Sequence, residues 1–120
     1  MVKLGRREEQ IMQVFWDLNK AFIRDIIPHL PHPKPHYNSV ATMVKILEDK
    51  GFLSHNTVGN VHSYFPVIGK EDYQRFAMKD IVSQYFNNSY SSMLAFFAKD
   101  QNLSKKELNE IMDIIKNKSK

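Results

Sequence analysis

The residues that decide the fold run from Tyr37 to Val67 and read YNSVATMVKILEDKGFLSHNTVGNVHSYFPV. In the first half of this stretch, apolar side chains recur at helical spacing, at Val40, Met43, Val44 and Leu47. This pattern predicts a helix over residues 37–50 with one buried face, and Gly51 supplies the usual C-terminal stop.

The second half of the stretch predicts a β-hairpin. Residues 52–55 and 61–67 are strand-like, and the turn-forming cluster at residues 56–60 separates them. A helix followed directly by a hairpin is the order of a recognition helix and its wing in a winged helix-turn-helix.

Two helices are predicted before this stretch. The first spans Arg6 to Asn19 and carries an apolar stripe at Ile11, Val14, Phe15 and Leu18. The second spans Phe22 to Leu30, although Pro28 inside it favours an earlier end to the regular part. Residues 31–35 contain three prolines and predict a rigid, extended connection to the next helix.

The chain after the hairpin is predicted to be helical. Apolar stripes run through residues 70–86, a break follows at 87–89, and a short apolar segment occupies 93–97. The capping-box pattern Ser104-Lys105-Lys106-Glu107 opens a final helix. The sequence thus predicts a mainly α fold with a small β-hairpin: a winged helix-turn-helix domain at residues 1–69 and a helical dimerisation region at 70–120.

Composition narrows the function classes. The 120 residues carry a net charge of +4 and no cysteine, which excludes disulfides, thiolate metal ligands and a cysteine nucleophile. We find no signal peptide and no apolar run that could span a bilayer, so we expect a cytoplasmic protein without membrane insertion. No nucleophile–base pair, phosphate loop or carboxylate pair suggests catalysis, and we expect neither enzymatic activity nor a cofactor nor a metal.

The non-core face of the third predicted helix has the side chains that read DNA. Asparagine pairs with adenine, hydroxyls bond bases or phosphates, and lysine bonds guanine or phosphate. Glu48 and Asp49 would repel phosphate at the far end, so the N-terminal half is predicted to enter the major groove. The predicted DNA-binding residues are Lys34, His36, Tyr37, Asn38, Ser39, Thr42 and Lys45, with His55, Asn56, Asn60 and His62 in the wing. A polar face that is merely solvated is the alternative.

The last fifty or so residues are too rich in aromatic and aliphatic side chains for three short helices to bury alone. We expect a second copy of the chain to bury this apolar surface, because a palindromic operator is bound by a protein with the same twofold symmetry. A single monomeric core is the alternative. The predicted interface residues are Tyr73, Phe76, Ile81, Tyr85, Phe86, Leu94, Phe97, Leu108, Ile111, Met112 and Ile115.

Several segments, in order, resemble the penicillinase-repressor family, also called the BlaI/MecI family. Residues 11–16, IMQVFW, are similar to the family's Val-Met-x-x-Leu-Trp, and residues 23–26, IRDI, to its Val-Arg-Glu-Val. Residues 37–53 and the Tyr64-Phe65-Pro66 of the second wing strand also match, and the last fifty residues agree in pattern.

The resemblance implies a dimeric repressor of palindromic operators, with C-terminal helices as the interface, in β-lactam or cell-envelope stress regulation. It also implies that a membrane-bound sensor metalloprotease triggers cleavage of the repressor. The family's scissile Asn-Phe would fall on Phe96-Phe97, where the asparagine is absent and both rings are instead expected in a core. The family's copper-responsive branch uses a cysteine cluster that this chain lacks.

Two rival interpretations stay open at this point. One is a metal-responsive regulator that uses histidine, since His29, His32 and His36 are close in sequence and imidazole suits Zn²⁺ or Ni²⁺. The prolines between them spoil a helical ligand spacing. The other is a winged helix that binds protein instead of DNA, which the modest net charge allows.

Overall fold

A computed structural model describes residues 1–100 and 103–118 of the chain. The helices are α1 (Arg6–Leu18), α2 (Ile23–Ile26), α3 (Tyr37–Asp49), α4 (Lys70–Tyr85), α5 (Tyr90–Lys99) and α6 (Lys105–Lys118). The strands are β1 (Leu53–Val58) and β2 (Val61–Pro66), and a 3₁₀ turn covers Ile27–His29. The mainly α fold with a small hairpin is confirmed.

The chain forms two compact units, residues 1–77 and 78–120, so α4 contributes to both. The division predicted from the sequence lies after residue 69. The difference arises because the first turns of α4 pack on the core of the first unit. That core joins α1, α2, α3 and the base of the hairpin, and its fully buried side chains include Phe15, Phe52, Ile11, Met12, Ile26, Leu47, Val40 and Val44.

The apolar stripe predicted for α1 is buried except at its end. Leu18 is 39% exposed, because the helix stops there and Asn19 takes a left-handed φ of 69° as its C-cap. The prediction that Leu18 joins the core is therefore wrong.

The second helix is shorter than predicted. Regular α-helix ends at Ile26, and Pro28, which has no N–H to donate, lies in the 3₁₀ turn that follows. The Lys34 ammonium donates to the carbonyls of Pro28 and Leu30, both at 2.8 Å. This lysine closes the end of the second helix, much as a basic residue caps any helix C-terminus.

The hairpin is tighter and longer than its sequence suggested. β1 continues through Val58, and the antiparallel register pairs Leu53 with Pro66 and Val58 with Val61. Only Gly59 and Asn60 form the turn, and the φ of +64° at Gly59 suits glycine. The broad turn predicted at residues 56–60 is wrong, because Asn56 and Thr57 are polar strand residues and not turn residues.

A short bridge anchors the hairpin to the helices. Ala21, just before α2, exchanges two backbone hydrogen bonds with Tyr64 on β2, at 3.0 and 2.9 Å. The base of the wing is thus fixed on one side by this bridge and on the other by the buried Phe52 and Leu53.

Tyr73 fastens the start of α4 to α1. Its hydroxyl accepts a hydrogen bond from the Leu4 N–H at 2.9 Å and donates one to the Glu9 carboxylate at 2.6 Å. The ring is 5% exposed and packs against Phe52, with ring centroids 5.6 Å apart. Tyr73, which was predicted for a dimer interface, is thus a core residue of the first unit, and Phe76 packs against the same core.

Replacing Tyr73 with phenylalanine is expected to lower the free energy of unfolding by about 1–3 kcal/mol, because a buried N–H and a carboxylate lose their partner. Urea denaturation measures the change. Tyr90→Phe is the matched control, since this exposed tyrosine should change stability by less than about 0.5 kcal/mol. Equal effects of the two substitutions would contradict the role assigned to the Tyr73 hydroxyl.

The buried Tyr73 hydroxyl also predicts a loss of stability at alkaline pH. Burial and the hydrogen bond to Glu9 raise the pKa of Tyr73 from 10.0 to about 12. A raised folded-state pKa means that the stabilisation is complete below pH 10 and declines as the pH rises toward about 12. Tyr73→Phe should remove this part of the alkaline decline.

The second unit contains the remainder of α4 with α5 and α6. The predicted break at residues 87–89 is confirmed, since Asn87 and Asn88 take left-handed φ values of 53° and 64°. Ser89 caps α5 by accepting from the Ser92 N–H at 3.0 Å, and Ser104 caps α6 by accepting from the Glu107 N–H at 3.1 Å. The apolar segment at 93–97 is the middle of α5.

Much of the apolar surface of this unit stays exposed. Val82 is buried, and the rings of Phe86 and Phe96 meet edge to face with centroids 5.7 Å apart. The exposed large apolar side chains of this unit include Met78, Tyr85, Tyr90, Phe96, Met112, Ile114 and Ile115. The core position predicted for Phe96 is wrong within a single chain.

Candidate nucleic-acid interface

The third helix presents a continuous polar face to solvent. Its buried side is formed by Val40, Val44 and Leu47. The five side chains predicted to read DNA on this helix are all exposed: Tyr37, Asn38, Ser39, Thr42 and Lys45. The Thr42 hydroxyl donates to the Asn38 carbonyl at 3.0 Å, which leaves its lone pairs and the whole Asn38 amide available to a base edge.

The N-terminus of α3 is suited to a phosphate. His36 is its N-cap residue, in extended backbone conformation, and no side chain of the described chain caps the first turn. The first N–H groups of a helix carry a partial positive charge and need acceptors. An exposed His36 and Tyr37 beside these groups complete an arrangement that favours an anionic backbone.

Lys45 is held loosely by the acidic end of the helix. Its ammonium lies 3.8 Å from both the Glu48 and the Asp49 carboxylates, and its side chain is 67% exposed. Exposed pairs at this distance contribute little free energy. A phosphate or a guanine can therefore compete for Lys45.

Lys34 has a different role from the predicted one. Two of the three donors of its ammonium already serve the carbonyls that close the second helix. Its main role is to fix the connection between α2 and α3, and direct DNA contact is limited to the third donor.

The wing offers hydrogen-bonding groups and no fixed charge. No Lys, Arg, Asp or Glu occurs between residues 52 and 67. The register puts His55 and His62 on one face of the hairpin and Asn56 on the other, while Asn60 lies in the turn. The predicted wing residues therefore cannot all contact one DNA surface.

His55 has a partner inside the chain, which the sequence analysis missed. Its Nδ1 bonds the Glu48 carboxylate across the turn between α3 and β1. Its ring packs on His62, with centroids 4.1 Å apart and ring planes tilted by 41°, and lies near Tyr64. His62 is exposed and is the histidine that faces solvent.

Arg24 is a candidate DNA contact that is absent from the predicted set. It lies in α2 with a 75% exposed side chain, and its guanidinium lies 5.4 Å from the centroid of the Phe22 ring. A cleft of about 300 Å³ separates this side chain from Tyr37, His62 and Tyr64. A cation in the first turn of the second helix was the signal that could have found it.

The metal-responsive alternative requires its histidines to belong to a ligand cluster that could hold a metal ion. In residues 1–100 and 103–118, no three His, Asp or Glu side chains converge as metal ligands. None of the described helices combines the length and hydropathy that crossing a bilayer requires.

Three helices, a hairpin beside the third and an exposed polar face on that third helix define a winged helix-turn-helix DNA-binding protein. The family profile described as penicillinase repressor matches residues 4–117. The chain therefore belongs to the penicillinase-repressor family; it is a DNA-binding transcriptional repressor and not an enzyme.

Relatives of known role match along nearly their full length. The penicillinase repressor of Bacillus licheniformis is 28% identical over 114 residues, covering 94% of this chain and 89% of the relative. The methicillin resistance regulatory protein MecI of Staphylococcus aureus strain N315 is 20% identical over 117 residues, covering 97% and 95%. The penicillinase repressor of S. aureus is 22% identical over 120 residues, covering 99% and 95%.

Proposed function

We propose that the chain represses transcription in the cytoplasm as a homodimer bound to a palindromic operator. In each copy, α3 would enter the major groove while the wing and Arg24 follow the backbone. The observation that carries the proposal is the exposed polar face of α3, from Asn38 to Lys45, next to a helix N-terminus open to phosphate.

The exposed apolar surface of the second unit supports the homodimer. Tyr85 is 73% exposed, and Met112 on α6 is more than half exposed. Soluble monomers rarely expose contiguous apolar patches, which usually mark an interface. The other predicted interface residues are partly exposed in one chain: Ile81, Phe86, Leu94, Phe97, Leu108 and Ile111.

The proposed target genes are those of β-lactam resistance or cell-envelope stress. The relatives are named for penicillinase and for methicillin resistance, which supports this choice. Induction would pass through a membrane-bound sensor metalloprotease. The candidate bond, Phe96–Phe97, lies inside α5, so cleavage there would require local opening of that helix.

Selection of DNA by the full chain tests the operator proposal. A random duplex library should yield an inverted repeat whose half-sites are centred about one helical turn, or a multiple of it, apart. Affinity for the selected duplex should fall steeply between two salt concentrations, because phosphate contacts release counterions. A single unrepeated motif, or binding that depends on neither sequence nor salt, would contradict the proposal.

A further inference from the structure

The recognition helix and the wing are joined by a side-chain pair beyond the core. Glu48 lies in the last turn of α3 and His55 lies on β1, with exposed side-chain fractions of 18% and 30%. The Glu48 carboxylate bonds the His55 Nδ1. The chain reverses between them at Gly51, whose φ of +85° is a left-handed conformation. The pair therefore spans a bend in the backbone.

The Glu48–His55 contact extends to the solvent-facing side of the wing because the His55 ring packs against His62. His55 packs on His62, the diagonal neighbour across the hairpin, at 4.1 Å between centroids, and Tyr64 lies 5.4 Å from His55. The deeper anchors, Phe52 and the Ala21–Tyr64 bridge, hold only the base of the hairpin. A displacement of His55 would thus be passed to the exposed His62.

The position of this wing relative to α3 matters more than it would for a wing that carries Lys or Arg. With no Lys, Arg, Asp or Glu between residues 52 and 67, the wing has no fixed charge to attract phosphate at long range. Its contacts with DNA must be short hydrogen bonds, which weaken steeply as geometry departs from the optimum. A small change in the angle between wing and helix should remove them.

We propose that Glu48 and His55 are a positioning pair that sets the angle of the wing relative to α3 and thereby strengthens DNA binding. The inference rests on the proposed binding mode, in which helix and wing engage the same duplex. It gives Glu48 a favourable role, whereas a carboxylate near phosphate would by its charge alone weaken binding.

The test compares two acids in the same helical turn. Glu48→Ala and Asp49→Ala each remove one carboxylate near Lys45, but only Glu48 contacts His55. Electrostatic repulsion alone predicts tighter binding for both variants. Positioning predicts that Glu48→Ala weakens affinity for the selected duplex by about fivefold to tenfold, the net size of one ordinary hydrogen bond. Tighter binding by both variants would overturn the proposal.

Variants of His55 separate positioning from folding. His55→Phe keeps a ring against His62 but loses the Nδ1 donor, whereas His55→Asn retains a donor close to that position. His55→Asn restores the donor but not the ring that packs on His62. We therefore expect weakened binding for His55→Phe and partial recovery for His55→Asn, with melting temperatures close to the wild-type value. A His55→Phe chain that binds as the wild type does, or one that loses affinity only in step with its melting temperature, would count against the pair.

Footprinting on the same duplex gives a readout that general destabilisation would not produce. Hydroxyl-radical protection at the backbone under the wing should be lost in Glu48→Ala, while methylation protection of guanines under α3 persists. Equal loss of both protections would refute a role in wing placement. If the wild-type chain selects no duplex, the proposed binding mode fails and not this inference alone.

Discussion

Alanine at both Asn38 and Thr42 is expected to reduce discrimination between the selected operator and unrelated DNA by about 10-fold to 100-fold, since a base contact is worth about 1–3 kcal/mol. Both side chains are exposed on α3 and outside the core. Non-specific affinity should change little, because neither residue is charged. Competition binding with operator and scrambled duplexes measures the ratio.

The matched control is the double variant Gln74→Ala, Asn117→Ala, which removes two exposed polar side chains that belong to other helices, α4 and α6. This control variant should leave the discrimination between operator and unrelated DNA unchanged. Intact operator selectivity in the Asn38, Thr42 variant, with an unchanged oligomeric state, would show that another face of the protein reads DNA.

Aspartate at Met112 is expected to dissociate the dimer and to weaken operator binding at least about tenfold, since linking two half-site contacts raises affinity by about 10²–10⁴. Met112 is exposed on α6, so the charge would be placed at the proposed interface without opening a monomer core. Ile111, the neighbouring interface residue, is partly buried and would also perturb the fold. Sedimentation equilibrium and operator titration measure the two effects.

Asn117→Asp adds the same charge to a different face of α6 and serves as the control. Helical geometry separates the two positions by about 140° around the helix axis. The control should remain dimeric and bind operator as the wild type does. A Met112→Asp chain that stays dimeric and binds tightly would refute the assigned interface.

The recognition helix was predictable because its information is local. The spacing from Val40 to Leu47 specifies which face of α3 is buried, and Gly51 specifies where it ends, whatever the rest of the chain does. The same is true of the break at Asn87–Asn88. Backbone preferences of this kind act over a few residues, so a sequence pattern contains them.

The errors concern contacts between elements. Periodicity placed Tyr73 on the same stripe as Ile81 and Tyr85, but it could not show that the first turns of α4 are covered by α1 and Phe52. The hydroxyl of Tyr73 found partners at Leu4 and Glu9, far away in sequence.

The Glu48–His55 pair was missed for a related reason. Each residue was interpreted on its own element, one as an acid that repels phosphate and one as a donor to DNA. Their contact depends on how the hairpin folds back at Gly51, which no spacing rule specifies. Arg24 was likewise overlooked because the cleft that it borders forms only when α2, α3 and β2 come together.

The central claim is that two copies of this chain bind one operator through paired α3 helices. The most direct measurement is the mass, by sedimentation, of the complex between the full chain and the selected duplex, repeated with a duplex that contains a single half-site. The account predicts two chains on the full duplex and greatly weakened binding to the half-site. One chain on each duplex, bound with equal affinity, would contradict it.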